Sequence, residues 1–374
     1  MGGKRTDPAR SPTARDQRGR PTIADVAGLA GVSVTTAARV LSRRGYSSVD
    51  ARNRVLSAAD QVGYVPNYVA RSLRHGQTNI LGLLVADVEN SFYSALAKNV
   101  EAVATSAGYS VVLCNSDDDP DRERELLDVL QAMRIAGLIL TPTGGNRRLL
   151  QQLQRDGIGI VQVDRVVEHL KADAVLVDNE LGAFDAVSVL IESGHRRIGL
   201  LAGTQSVTTG FQRSEGYCRA LQEHGLPVDA NLIRGGTFRR DHAIEEARAL
   251  LGATPPITAI FAANNILAEA CMLALRESQL AVPGDVSLVA FDDVEWMRML
   301  ERGITTVRQP VAEMAQTAAE MLFRRLRTDG VTTAATVKYR PELILRDSVA
   351  TPGPNGTTRR NREAVASRPG EPLA

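Results

Sequence analysis

Few features of this sequence suggest chemistry through covalent bonds or metals. Its three cysteines, Cys114, Cys218 and Cys271, are odd in number and far apart. That arrangement gives neither a disulfide framework nor a zinc-ligand pattern. No apolar run approaches the roughly 18–20 residues needed to span a membrane, so no membrane partner is expected. Residues 1–20 are rich in Arg and Pro and lack the apolar segment of a secretory signal. No nucleophile–base pair with an orienting third group is visible, since Ser193 and His195 are neighbours in sequence only. The acidic run Asp117-Asp-Asp-Pro-Asp121 lacks calcium-loop spacing and reads as a cap for a helix starting at Asp121. A cytoplasmic protein with no metal, no cofactor and no catalytic residues is expected.

Net charge is also scarce, with 44 Lys and Arg against 43 Asp and Glu. The balance conceals a segregation. Residues 1–76 hold 13 basic and 5 acidic side chains with no Glu, or +8, which leaves −7 for residues 77–374. Such asymmetry points to nucleic acid or another anionic surface at one end.

The length suggests two or three domains. Residues 1–20 and 349–374 are Pro-, Gly-, Arg- and Ser-rich and read as disordered tails. Residues 21–65 read as three short helices, followed by a fourth short stretch over 66–76. Thr22 caps the first, Gly31 breaks it, Ser33 caps the second, and Ser48 caps a third that Gly63 stops. Val55, Leu56, Ala59 and Val62 are expected on the inner face of that third helix. From 79 to about 347, strand-like runs (80–85, 110–114, 137–140, 158–163, 174–177, 198–201, 259–261, 287–291) alternate with amphipathic helices such as 121–133, 181–193, 212–224 and 266–278. That alternation predicts α/β architecture with parallel sheets covered on both faces. The span is long for one sheet, so two lobes are expected, with a ligand at the carboxyl ends of the strands.

The stretch Ile23-Ala-Asp-Val-Ala-Gly-Leu-Ala-Gly-Val-Ser-Val-Thr-Thr-Ala-Ala-Arg-Val-Leu41 has helix-turn-helix spacing. Ala27 is small where the helices cross, Gly31 supplies the left-handed turn, and Val32, Ala37 and Val40 face inward. Val34, Thr35, Thr36, Ala38 and Arg39 then face outward near the start of the second helix, where base edges are read. Arg39 can fork onto a guanine, Thr35 can bond a base or phosphate, and Val34 can touch a thymine methyl. The plain alternative is a helical hairpin with a solvated Arg-bearing face.

The segment 22–74, including Gly63-Tyr-Val-Pro-Asn-Tyr-Val-Ala-Arg-Ser-Leu-Arg74, resembles the headpiece of the LacI/GalR family of bacterial transcription repressors. The likeness continues through Ile80-Leu-Gly-Leu-Leu-Val, Gly194-His-Arg-Arg-Ile-Gly199, Val282-Pro-Gly-Asp-Val-Ser-Leu-Val-Ala-Phe-Asp-Asp293 and Thr305-Thr-Val-Arg-Gln-Pro310, covering about 21–348. It implies a helix-turn-helix headpiece on a two-lobed core like the periplasmic binding proteins. The N-lobe would take about 79–178 and 310–338, the C-lobe about 179–308 and 339–348. It also implies a hinge helix over 67–74, in which Leu73 wedges a minor-groove base step while Asn67 and Arg74 contact the groove and its backbone. An apolar wedge at a flexible step is sound chemistry for kinking DNA; the alternative is a linker in which Leu73 packs on the core. Thr22, Ser33, Tyr46 and Ser48 complete the DNA-facing set. Ala37, Ala38 and Val34 depart from the family's commoner residues, so operator sequence does not carry over.

The same resemblance implies an effector pocket made by Phe92, Tyr93, Asp164, Arg165, Thr209, Arg213, Phe238, Asn264 and Asp292. These residue types suit a polyhydroxylated ligand: a planar donor fork, carboxylate acceptors, an amide that does both, and rings for an apolar face. The alternative is structural, with Arg213 paired to Asp292 across the cleft and Phe238 in the core. Asn264-Asn265 departs from the family's commoner Asn-Asp, and Val207 stands where a purine-binding relative has arginine. His195 is expected to make a structural hydrogen bond. The expectation is a homodimeric repressor of a palindromic operator on double-stranded DNA, controlled by a sugar or sugar derivative. No leucine heptad that would join dimers follows residue 350. The rivals are a sugar-binding transport protein and an enzyme on a doubly wound fold.

Overall fold

The computed structural model describes residues 21–41, 47–64, 78–327 and 333–353. The chain forms two compact units, residues 1–78 and 79–374. In the first, α1 (Ile23–Ala30) and α2 (Val34–Leu41) meet at a 105° bend, and α3 (Val49–Val62) packs on both. Each helix begins on a hydroxyl. Thr22 and Asp25 form a reciprocal capping box, Ser33 accepts from the Thr36 amide at 3.1 Å, and Ser48 accepts from the Ala51 amide at 3.3 Å. Gly31 (φ +61°) and Gly63 (φ +65°) end α1 and α3 in the left-handed conformation that a side chain resists. Val26, Ala27, Ala30, Ala37, Val40, Val55, Ala58 and Ala59 form the small core. Leu56 was expected inward but is 48% exposed, and Ala58 takes the inner place. At 3.6 residues per turn Leu56 lies about 100° round the helix from Val55, so it turns away from the face that Val55, Ala58 and Ala59 present to the core.

The second unit holds two similar sheets. The first lobe runs β1 (Ile80–Val85), α4 (Ser91–Ser106), β2 (Ser110–Asn115), α5 (Pro120–Ala132), β3 (Gly137–Leu140), α6 (Arg147–Arg155), β4 (Gly159–Val163) and β5 (Asp173–Val177). The second runs α7 (Asn179–Glu192), β6 (Ile198–Ala202), α8 (Thr208–Glu223), β7 (Ile233–Gly235), α9 (Arg240–Leu251), β8 (Ala259–Ala262), α10 (Asn265–Glu277), β9 (Ser287–Phe291), α11 (Glu295–Met299) and β10 (Thr305–Arg308). The chain then returns through α12 (Val311–Arg327) and β11 (Thr336–Tyr339) to the first sheet, and through β12 (Glu342–Ile344) to the second.

The strand orders are β11-β5-β4-β3-β1-β2 and β12-β10-β9-β8-β6-β7, the same winding twice. Every pairing is parallel except β10 with β12, so one edge of the second sheet departs from the expected all-parallel pattern. Helices on both faces explain why β3, β6, β8 and β9 are buried at every position and read as unbroken apolar runs. Buried residues of both lobes belong to one continuous cluster. The ordered core extends past 348, the expected limit: Ser348 is fully buried and the Ala350 amide donates to Ser287 Oγ at 3.0 Å.

Candidate functional site

On α2, Val34, Thr35 and Arg39 are exposed, while Ala37 and Val40 are buried against α1 and α3. Thr36 is only partly exposed, and its hydroxyl shares a 2.9 Å hydrogen bond with that of Ser33. Ser33, Ser48 and Thr22 are each engaged as helix caps through their side chains. The face offered outward at the start of α2 is therefore Val34, Thr35 and Arg39: one apolar contact, one hydroxyl and one guanidinium. Tyr46, Asn67, Leu73 and Arg74 lie outside the described residues.

In the core, a cleft of about 980 Å³ opens at the carboxyl ends of the two sheets, and its lining includes all nine residues expected of the pocket. The duplicated winding makes corresponding positions converge there. Asp164 follows β4 and Asp292 follows β9, the equivalent strands, and both sit in the left-handed conformation (φ +70° and +72°). Each amide is tied to the neighbouring strand, Asp164 N to Val175 O at 3.0 Å and Asp292 N to Val307 O at 2.9 Å. A non-glycine residue costs roughly 1–2 kcal/mol in that region, and here the strain turns a carboxylate into the cleft from each lobe.

Around Asp164 the floor is buried. The Tyr93 hydroxyl donates to Asp164 Oδ2 at 2.9 Å, and Arg165 Nε lies 3.6 Å from the same oxygen. Burial raises the pKa of Asp164, against the opposing pull of Arg165 and Arg213, and burial likewise holds the Tyr93 phenol well above its usual range. Both terminal nitrogens of Arg165 bond Asp118, the second at 3.3 Å. Phe92 caps this corner, its ring edge-on to Tyr93 at 5.0 Å.

On the other lobe, Arg213 projects from α8. Its Nε donates to Asn179 Oδ1 at 2.9 Å, its Nη1 to Ala263 O at 2.7 Å, and its guanidinium lies 3.7 Å above the Phe291 ring. Burial lowers its pKa while Asp292 and Asp164 oppose that shift. The Arg213–Asp292 ion pair considered from the sequence is not made; Asp292 instead accepts from Gln309 Nε2 at 2.6 Å and from the Asn265 amide at 3.2 Å. Asn264 caps α10 through its side chain. Phe238 is partly buried, with Arg165 5.4 Å from its ring centroid. The lobes also touch beside the cleft: Asn265 Nδ2 donates to Asn90 Oδ1 at 2.8 Å, and Thr208 Oγ1 accepts from the Val166 amide at 3.4 Å.

The sequence reading missed Gln309, Thr204 and Asp118 in the lining. Gln309 belongs to the motif Thr305–Pro310, but no strand is expected there from the sequence, and it is β10 that carries it to the cleft. Asp118 was absorbed into the capping argument. In the structure Asp119 caps α5, while Asp118 turns to Arg165. His195 lies outside the cleft, with its Nδ1 2.8 Å from Thr258 Oγ1. Among the described residues no single helix is long and apolar enough to cross a membrane.

A helix-turn-helix unit joined in one chain to a twin-sheet core with a buried polar cleft defines a ligand-responsive DNA-binding transcriptional regulator. Comparison with known proteins gives the same class. Residues 22–67 match the lacI family of bacterial regulatory proteins, and residues 187–349 match a periplasmic binding protein-like domain. The ribose operon repressor of Halalkalibacterium halodurans is 36% identical, over 82% of this chain and 90% of its own. The regulator GalS of Salmonella typhimurium is 34% identical, over 88% and 96%. Among solved structures, the complex of the regulator CelR with cellobiose has a TM-score of 0.67 at 30% identity, covering 88% of this chain and all of that one. The lac repressor dimer bound to operator and an anti-inducer has a TM-score of 0.76 at 25% identity, covering 89% and 100%. This chain belongs to the LacI family of bacterial transcriptional regulators.

Proposed function

We propose that this regulator is a homodimeric repressor that reads a palindromic operator with α2 and is released from it by a sugar-like effector held in the cleft. The observation that carries the reading is the joint one of two inward-turned carboxylates, Asp164 and Asp292, with two buried guanidiniums, Arg165 and Arg213, between the lobes of a DNA-binding chain. Val34, Thr35 and Arg39 supply base contacts, and Asn67, Leu73 and Arg74 supply the minor-groove contacts of the hinge segment. Two copies are needed because one short wedge segment gains too little in a groove to offset its own ordering. Effector binding favours one lobe arrangement over the other and weakens operator binding by a coupling on the order of 1–3 kcal/mol. The protein acts by binding, without a catalytic step.

Footprinting against genomic fragments tests the first half: a protected palindrome is expected, and protection of no DNA sequence sinks it. The wedge is tested by Leu73→Ala, which should weaken specific binding far more than nonspecific binding; equal losses count against it. For the cleft, Arg213→Ala should abolish the effector response and leave operator binding in place.

A further inference from the structure

We infer that two amide side chains on the segments joining the lobes, Asn179 and Gln309, are positioning residues that carry the state of the cleft into those segments. The inference rests on the reading of this cleft as the effector site. Its basis is where the polar groups of the second lobe find their partners.

Among the described residues the chain crosses between the lobes three times: from β5 into α7, from β10 into α12, and from β11 into β12. Of the residues lining the cleft, only Gln309 lies on a crossover, between Arg308 of β10 and Val311 of α12. Its Nε2 donates to Asp292 Oδ1 at 2.6 Å. Asn179 opens α7 at the first crossover and is buried, and its Oδ1 accepts from Arg213 Nε at 2.9 Å. The third crossover is tied to the first: the Asp178 amide donates to Tyr339 O at 2.8 Å, and the Asp178 carboxylate lies 2.9 Å from Lys338 Nζ.

Charge fixes how each amide points. An ionised carboxylate only accepts and a guanidinium only donates. Asp292 therefore holds the nitrogen of Gln309 toward itself, and Arg213 holds the oxygen of Asn179. The nitrogen of Asn179 is left to donate elsewhere, and it bonds Val177 O, at the end of β5 in the first lobe, at 3.3 Å. Asn179 thus joins a cleft guanidinium of one lobe to a strand of the other. Gln309 acts on a helix. Pro310 follows it with φ fixed by the ring, and the Pro310 carbonyl accepts from the Met314 amide at 2.9 Å in the first turn of α12. Because α12 covers β3, β4 and β5, a displacement of Gln309 reaches a helix seated on the first sheet.

An occupant that bonds Asp292 or Arg213 shares those groups with the two amides. The lobe arrangement that keeps both sets of bonds is favoured, and the ligand moves the equilibrium by that difference alone. Arg213, on α8, and Asp164, after β4, are charges that act on Asp292 across the same space.

The test uses the full-length protein and its single tryptophan, Trp296, as the fluorescence probe of core unfolding. Gln309→Glu puts a second carboxyl against Asp292. At pH 8 the two repel and the tie is cut, so operator affinity without ligand should shift from that of the natural chain by about fivefold or more, the lower end of couplings between sites. At pH 5.5 the neighbouring carboxylate favours uptake of a proton by the introduced group, which donates it to Asp292 in place of the amide, and the shift should reverse. Gln309→Met fills the same space with neither a donor nor a titration, so it should stay shifted at both pH values. Two variants that behave alike would reduce Gln309 to packing and overturn the inference, as would affinities that stay with the natural chain throughout. Asn179→Asp keeps the bond from Arg213 and loses the one to Val177. The probes for it are ribose, galactose and cellobiose. With one that stabilises the natural chain and releases it from operator, this variant should keep the midpoint shift and lose about fivefold or more of the release. Binding and release that fall together overturn the role of Asn179. If none of the three sugars acts on the natural chain, the effector reading fails for them, and the ligand-free pH comparison still decides the inference. Should Gln309→Glu not fold at pH 8, Asn179→Asp takes its place in the ligand-free comparison, where an operator affinity equal to that of the natural chain overturns the inference.

Discussion

Single residues hold the cleft in shape at positions that make no hydrogen bond to it. A Cβ at Gly203 would lie 2.0 Å from the Phe238 ring, so only glycine lets that ring rest over the end of β6. Gly203→Ala should therefore push Phe238 into the cleft or out of it and weaken the ligand-induced midpoint shift at least tenfold in ligand concentration, about 1.4 kcal/mol. Operator affinity without ligand should stay within twofold, and a variant whose ligand response is unchanged would refute the packing argument. His195 makes a different prediction. Burial, reinforced by the charge of Arg196 and opposed by the backbone of Ala350, pushes its pKa down to about 4 from an ordinary 6.5. The folded chain then keeps the imidazole neutral while the unfolded chain protonates it below about 6.5. Stability from this site is fully present above pH 6.5 and is lost as pH falls toward 4, by on the order of 2–3 kcal/mol. Urea midpoints of Trp296 fluorescence at pH 7 and pH 5 should converge for His195→Gln, which cannot titrate, relative to the natural chain. Parallel pH profiles for the two would remove His195 as the cause.

At the scale of elements, the caps and the duplicated sheets carry separable roles. The reciprocal bonds of Thr22 and Asp25 satisfy amides at the start of α1, and Thr22→Ala should destabilise the helix by about 1 kcal/mol. Operator affinity should fall while the Trp296 unfolding midpoint stays put, because the two reside in different compact units. The contact between α10 and the segment before α4 depends on an amide at 265, since Asn90 Oδ1 already accepts from the Phe92 amide and needs a second donor opposite it. Asn265→Asp replaces that donor with an acceptor, so it should loosen the lobes and shift the ligand concentration giving half-maximal release of operator. An unchanged midpoint of release would show that the contact does not couple to the cleft. Three strands, β1, β3 and β9, are legible to the residue because burial on both faces makes them uninterrupted apolar runs bounded by turn residues. The returning strands β11 and β12 are not. They are short edge strands with alternating or partial exposure, and only their pairing with β5 and β10 makes them strands. The pocket residues were legible through the family resemblance, and they lie after β1, β4, β6, β7, β8 and β9 or in the opening turns of the helices that follow those strands. Their partners were not: nothing local tells that Asp118 turns to Arg165, 47 positions away, rather than to its own helix.

For the whole molecule the governing quantity is how charge is divided along the chain. Residues 1–76 carry +8 and residues 77–374 carry −7, so binding to a polyanion draws on one end of the chain while the rest is repelled by it. Each phosphate neutralised steepens the fall of log affinity with log salt by about 0.9. Six of the thirteen positive charges in that end precede Pro21, and the exposed face of α2 contributes one, Arg39. The two groups should therefore separate in one experiment. Removing residues 1–20 should flatten the salt dependence of both specific and nonspecific binding by a similar amount and leave their ratio nearly unchanged, since charges that meet phosphates carry no sequence information. Arg39→Ala should do the reverse, with a small change in slope and a loss of roughly 1–3 kcal/mol in discrimination between operator and random DNA. Titrations at several salt concentrations against operator and scrambled duplexes measure both quantities. A truncated chain that loses its preference for operator would move sequence reading into the basic segment. An Arg39→Ala chain that keeps the full preference would leave Thr35 and Val34 as the only base-reading groups on the exposed face of α2.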